Sequence, residues 1–242
     1  MIGTLLNVTG ILVGGVLSLF RHKPLSPVTE SYFKVLLSVF TVFYGLRLTW
    51  LSISGSFWEI LKQCFIVVLA LMVGRLLGHA LGLQKMSNRL GQRARRRIAE
   101  AKPGNQTAPG EGFKTCAALF CAAPLGILGS VQEGLSHSEY FYPLVIKALI
   151  DGLATMGFFS LFGWGVLLST VPVLTFQGTL TLTCARFIEP FLASHHLVDS
   201  VNAVGGLLVF CVALVMLGLK RIPLADYLPS LLICPLITWL WP

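Results

Sequence analysis

Apolar runs of about twenty residues recur along the whole chain and constrain its fold more than any other feature. A bilayer core is about 30 Å thick and a helix rises about 1.5 Å per residue, so about 20 apolar residues make one crossing. Eight such stretches can be drawn: 2–20, 33–53, 58–83, 113–131, 142–162, 163–187, 201–219 and 224–241. Backbone inside lipid must satisfy its own polar groups, so each stretch is expected to be helical. Only 12% of the 242 residues are charged, against about 25% in a soluble domain. The expected fold class is therefore all-α, a polytopic transmembrane helical bundle of about eight spans. Seven spans is the alternative, if 142–187 is one long or re-entrant unit. Little chain remains for a soluble domain, so residues 1–242 read as a single integral membrane domain. The first run has no basic segment before it and no obvious cleavage site, and it reads as a span rather than a removable signal.

The charge pattern orients these spans. The net charge is +8, and much of it lies in the segment 84–112 and just beyond, at Lys85, Arg89, Arg93, Arg95, Arg96, Arg97, Lys102 and Lys114. The positive-inside rule reads this segment as a cytoplasmic loop, its first part an amphipathic surface helix and its second a flexible linker. Alternation then puts Arg21-His22-Lys23 and Lys220-Arg221 inside as well. It puts both termini outside, together with the loop carrying Glu133 and Glu139. The basic run suits anionic lipid headgroups. It lacks interleaved aromatics and a reading fold, so nucleic acid is not an expected partner.

Polar residues inside the apolar runs are the candidate site. Asp151 falls near the middle of the 142–162 run, where a carboxylate costs about 2.5–3.5 kcal/mol. Lys147 is four residues earlier, on the same helical face, and an intrahelical ion pair is expected. Such a pair is either purely structural or part of ion, proton or anion handling. Glu133 reads as a solvated loop residue or as part of a vestibule. The amides of Gln132, Gln177, Asn7 and Asn202 need partners inside a bilayer, either across helices or along a polar path. Two weak internal echoes connect them. Asn7-Val-Thr-Gly with Gly14-Gly15 is echoed by Asn202-Ala-Val-Gly-Gly206. Ala123-Pro-Leu-Gly through Gln132-Glu-Gly134 is echoed by Val171-Pro-Val-Leu-Thr-Phe-Gln-Gly178. Paired segments interrupted by Gly and Pro are a sequence pointer to a transporter's binding site, so helices broken at both places are expected.

Other features point to packing. Gly74, Gly78 and Gly82 form a small-xxx-small ridge for close helix packing, within one chain or between the copies of a homo-oligomer. Cys64, Cys116, Cys121, Cys184, Cys211 and Cys234 contain no paired metal spacing and read as small packing residues. His195 and His196 with Asp199 and Glu189 lack a specific ligand spacing, and no metal is expected. No nucleotide, dinucleotide or nucleophile-elbow motif is present, so no cofactor and no enzymatic activity are expected.

Together the motifs resemble the YqgA/YdfK family of bacterial inner-membrane proteins, a domain of unknown function. The matching stretches are Gly3-Thr-Leu-Leu-Asn7 with Gly14-Gly15, Leu128-Gly-Ser-Val-Gln-Glu-Gly134, Lys147-Ala-Leu-Ile-Asp-Gly152, Pro172-Val-Leu-Thr-Phe-Gln-Gly178, Ala203-Val-Gly-Gly206 and Leu228-Pro-Ser-Leu-Leu-Ile-Cys-Pro235. They run nearly from end to end. Glu133 departs from the expected pattern, which has Asp there; the charge is kept and the reach changes. The resemblance implies a multipass protein of the bacterial cytoplasmic membrane, sometimes labelled a transporter, with no established substrate. The leading functional expectation is a secondary transporter or channel for an ion or small polar solute. A non-transporting scaffold is the alternative, and a lipid-modifying enzyme ranks below both.

Overall fold

A computed structural model of the chain describes residues 1–20, 26–101, 109–135 and 141–241. These residues form α1 (Ile2–Phe20), α2 (Pro27–Leu51), α3 (Phe57–Ala80), α4 (Leu83–Glu100), α5 (Pro109–Ala122), α6 (Pro124–Leu135), α7 (Tyr142–Phe162), α8 (Thr170–Thr183), α9 (Glu189–Ser194), α10 (Val198–Met216), α11 (Leu224–Tyr227) and α12 (Ser230–Leu240), with no strand among them. A 3-10 segment, Gly163–Ser169, leads into α8, and a π-helical turn, Cys184–Ile188, follows it. The basic turn Arg21-His22-Lys23, residues 102–108 of the linker and Glu139 lie outside the described residues.

Five helical runs among the described residues are long and apolar enough to cross a membrane, or six if α5 and α6 together make one bent span. The expected eight differs from this at two places. Residues 142–194 form one apolar helical run of 53 residues, about 80 Å at 1.5 Å per residue and too long for one crossing. The packing shows that this run folds back. α7 runs alongside α1 in the same direction, Gly3 meeting Leu144 and Gly14 meeting Gly152. α8 runs against α1, with Thr4 beside Thr181 and Asn7 on Gln177. The reversal falls at the 3-10 segment, which opens on Gly163 with φ +65°, a backbone conformation that costs glycine no steric strain. The second place is 224–240, a shorter apolar unit divided into α11 and α12.

α5 and α6 meet at 57° across Ala123. Pro124 explains the break, because it has no N–H to donate and its ring excludes the preceding residue from the helical region. The interruption expected at Pro172 and Gln177-Gly178 is absent: α8 runs unbroken through all three. Pro172 sits in the first turn, where an N–H has no intrahelical acceptor to lose. A single interior glycine costs only about 1 kcal/mol.

Small residues bring the helices together. A Cβ on Gly10 would run into the Ala148 carbonyl, and one on Gly14 into the Gly152 carbonyl, so α1 and α7 pack backbone to backbone. Gly45 on α2 lies against Gly206 on α10 in the same manner. Gly74 and Gly78 are covered by Ser230 and Asp226 of the same chain, which places that ridge against α12 and α11. Gly82 has open space around it and a φ of +68°, and it forms the turn between α3 and α4. Two larger apolar cores result, beside a small cluster of Tyr44, Leu48 and Val209. One centres on α6, α10 and α12, with Leu128, Val204, Leu208 and Cys234. The other joins α1, α5 and α8 through Ile11, Cys116, Phe120 and Val173. Large apolar side chains such as Phe20, Phe43, Trp50, Phe65 and Met72 remain exposed, as a lipid-facing surface requires.

The basic segment is the helix α4, tied at its start to α11. Gln84 N–H donates to Asp226 Oδ1 at 2.8 Å, and Ala225 N–H donates to Gln84 Oε1 at 3.1 Å. This brings α4 to the same end of the bundle as the Lys220-Arg221 turn that precedes α11.

Candidate functional site

The two apolar cores are separated by a layer of polar side chains. Each of its members follows from helical spacing. On α1, Thr4 and Asn7 are one turn apart; on α6, so are Gly126, Ser130 and Glu133. Lys147 and Asp151 on α7, and Gln177 and Thr181 on α8, are each four residues apart. Residues three or four apart share a helix face. Because α1 packs against α6, α7 and α8, and α6 packs against α7 and α8, these four faces converge. Every one of the seven sequence-identified residues is buried, from Asn7, Gln132 and Gln177 at 0% exposure to Asp151 at 5%.

Glu133 occupies one end of the layer and is buried, so the reading of it as a solvated loop residue does not hold. It closes the start of α1. Its Oε1 accepts from Gly3 N–H at 2.5 Å and lies 3.2 Å from the α-amino group of Met1. Its Oε2 accepts from Thr4 N–H at 3.3 Å, Thr4 Oγ1 at 3.0 Å and Thr181 Oγ1 at 3.3 Å. A carboxylate at a helix amino terminus meets the unpaired N–H groups and the positive end of the helix dipole. Thr4 and Thr181 escaped the sequence reading, although each sits one turn from a residue it singled out.

One turn deeper lie the charged pair and two amides. Lys147 Nζ donates to Asp151 Oδ2 in a buried ion pair, with Lys147 only 1% exposed. The ammonium also lies 5.8 Å from the centre of the Phe120 ring, within cation–π range. Asn7 Nδ2 donates to Gln177 Oε1 at 3.0 Å, and the Asn7 amide also lies beside the Asp151 carboxylate. Gly126, in the first turn of α6, makes room for this group. A Cβ there would stand 2.8 Å from Lys147 Cε and 3.0 Å from Gln177 Nε2.

Gln132 and Asn202 lie apart from the other five residues. Gln132 projects from a different face of α6, and its Nε2 presses against Gly205 of α10, one turn beyond Asn202. Buried polar atoms are left unpaired both in the layer and beside α10. Asn7 Oδ1, Gln177 Nε2, both polar atoms of Gln132, Asn202 Oδ1 and Ser130 Oγ have no hydrogen-bond partner among the described residues. Each such group costs about 1–3 kcal/mol when buried without a partner.

The relationship to known proteins extends over almost the whole chain. The family model described as "Protein of unknown function (DUF554)" matches residues 2–239. The chain belongs to the DUF554 family. Two curated relatives share nearly its full length with this DUF554 member. The uncharacterized membrane protein YdfK of Bacillus subtilis (strain 168) is 29% identical over 237 residues, covering 98% of this chain and 95% of YdfK. The uncharacterized protein YqgA of Escherichia coli (strain K12) is 27% identical over 245 residues, covering 100% of this chain and 97% of YqgA. No solved structure matches this DUF554 chain.

Proposed function

We propose that the protein is a secondary transporter or channel for an ion or small polar solute. The observation that carries the reading is the under-satisfied polar layer between two apolar cores. A purely structural layer would be closed, with each donor meeting an acceptor, because replacing buried polar groups by apolar ones of the same shape is nearly neutral. Here one carboxylate is fully engaged, one ion pair is formed, and Asn7 Oδ1 and Gln177 Nε2 are left without a partner among the described residues. Ionisable groups inside a bilayer mark substrate and ion pathways, and the buried Lys147–Asp151 pair stands beside these amides. The break at Pro124 supports the same reading, since irregular backbone at membrane depth is tolerated where it is buried in protein or lines a path. In this reading Lys147 and Asp151 form the central charged element. Asn7 and Gln177 line the path beside them, and Glu133 holds α1 against α6 and α8. Gln132 and Asn202 extend the polar route toward α10. The two cores on either side are the rigid bodies that would move.

The test is flux into proteoliposomes across gradients of alkali cations, protons and small anions. Asp151→Asn at equal folded amount should lower the transported flux at least about tenfold, as expected when a buried functional charge is lost. Equal flux in the variant and the original chain would remove the pair from any transport mechanism.

A further inference from the structure

We propose that the outward face of α4 is a docking stripe for anionic phospholipid headgroups, formed by Lys85, Arg89, Arg93 and Arg96. The inference goes beyond the transport reading and does not depend on it. α4 packs one face on the bundle. Ala94 is buried there, Leu83, Leu90 and Ile98 are half-buried, and α5, α11 and α3 cover that side. At 3.6 residues per turn the four cations fall within about 80° of arc on the far side of the helix. Their row is about 16 Å long at 1.5 Å per residue. All four residues are exposed, and none has a hydrogen bond or ion pair among the described residues.

The other charges of the segment are disposed differently. Arg97 is paired with Glu111 of α5, which Lys114 also meets at 3.8 Å. Arg95 projects from another side of the helix, about 120° from the middle of the row. Glu100 is the only acidic residue of α4 and closes its last turn. The row is therefore a single-sign surface along most of the helix, and an anion is its complement.

Position identifies the anion. The row begins directly after the turn at Gly82 that ends the apolar helix α3. α4 is held there at both ends. At its start Gln84 N–H donates to Asp226 of α11, and at its end Ile98 packs on the core of Phe120 and Phe162. The row thus lies across the ends of the spans, on the side that the positive-inside rule makes cytoplasmic. Cation clusters immediately beyond a spanning helix attract anionic headgroups. Because the bundle covers the apolar face of α4, the helix does not sink that face into lipid as a free amphipathic helix does. Charge alone holds the headgroups, so salt weakens the contact.

The experiment is thermal stability of the purified full chain in mixed micelles of a neutral detergent and phosphatidylcholine. Phosphatidylglycerol replaces phosphatidylcholine stepwise at constant total lipid. A ligand that binds the folded state raises its melting temperature by mass action. Poly-glutamate at matched charge is titrated in parallel, as a soluble polyanion.

The expected result is a saturable rise with phosphatidylglycerol that shrinks in about 0.5 M salt. Apparent affinity should fall at least about tenfold when Lys85, Arg89, Arg93 and Arg96 are all changed to Gln. It should be kept when Arg89, Arg93 and Arg96 are changed to Lys, which preserves the charge. Single variants separate the row from net charge: Arg93→Gln should weaken the affinity more than Arg95→Gln. Far-UV circular dichroism and size exclusion establish which variants fold, and the two single variants decide the matter should the quadruple one fail. No rise with phosphatidylglycerol would overturn the stripe, as would a rise unchanged in the quadruple variant or equal losses in Arg93→Gln and Arg95→Gln. Equal stabilisation by poly-glutamate would overturn lipid as the occupant. The flux test of Asp151→Asn is read separately, so either proposal can fail while the other stands.

Discussion

Lys147 and Asp151 stand one helical turn apart, and the spacing alone predicts their pairing. Their effect on stability follows from burial. Removing one partner strands the other charge, so Asp151→Asn and Lys147→Met should each destabilise the protein by about 3–5 kcal/mol. The double variant Lys147→Met with Asp151→Leu removes both charges and should recover most of that loss. Unfolding titrations of the two single variants and the double variant in one lipid-detergent mixture check the pattern. At Glu133 the expectation differs, because its oxygens accept from α1 and α8 together. Thr4→Val and Thr181→Val should each cost about 1.5–3 kcal/mol, the range for hydrogen bonds to a charged group. Because both threonines share Oε2, a double-mutant cycle should show coupling of at least about 0.5 kcal/mol; a cycle that closes at zero would contradict the shared contact. All seven polar residues could be picked out in the sequence, because a polar group in an apolar run is conspicuous. Their division into five residues in one layer, with Gln132 and Asn202 apart, could not. It depends on which face of α6 meets which neighbour, and apolar residues surround all faces of a buried helix alike. Gly126 was equally silent, since its role is the space it leaves for two side chains distant in sequence.

Among the helices, the closest contacts are made where side chains are absent. The α1–α7 interface has Gly10 and Gly14 on one helix facing Ala148 and Gly152 on the other. Gly10→Leu should push the helices apart and destabilise by about 1–3 kcal/mol or more, the cost of overpacking. Gly91 on α4 is the contrast. It has nothing within 4 Å and lies in a helix interior, so Gly91→Ala should stabilise by up to about 1 kcal/mol through helix propensity alone. Paired unfolding measurements on these two variants separate packing from propensity. The starts and stops of α1, α7 and α10 were legible to within a few residues, because apolar runs bounded by polar turns are strong signals. The supposed interruption of α8 was not. Pro172 and Gly178 read as breakers in sequence, yet one falls in a first turn and the other is a tolerated single glycine. The operative break before α8 is Gly163–Ser169, where the positive φ of Gly163 lets the chain reverse.

Across the whole molecule, helix directions fix which loops lie at the same end. α3 ends against α11, so His79, the start of α4 and the Lys220-Arg221 turn gather at one end. Ser54 and His196 line a shared cleft of about 110 Å³ with Gln63 and Asp199 at the other. In a cysteine-free background, single cysteines at Arg95 and Lys220 should therefore be labelled by an impermeant reagent from the same side of sealed vesicles. Cysteines at Ser54 and His196 should be labelled from the opposite side. Labelling of Lys220 and Ser54 from one side would contradict the arrangement. The bundle architecture was legible from composition and period, because lipid imposes helices on any spanning chain. The proposed function was less legible, since it rests on the mutual geometry of a few side chains that no apolar period encodes. The most direct test of the central claim is flux by the Lys147→Met, Asp151→Leu double variant in proteoliposomes, beside its measured stability. If the pair belongs to the transport path, this variant is folded, near the original in stability, and at least about tenfold slower in flux. Flux restored along with stability would show that the pair only holds α7 in place, and would contradict the account.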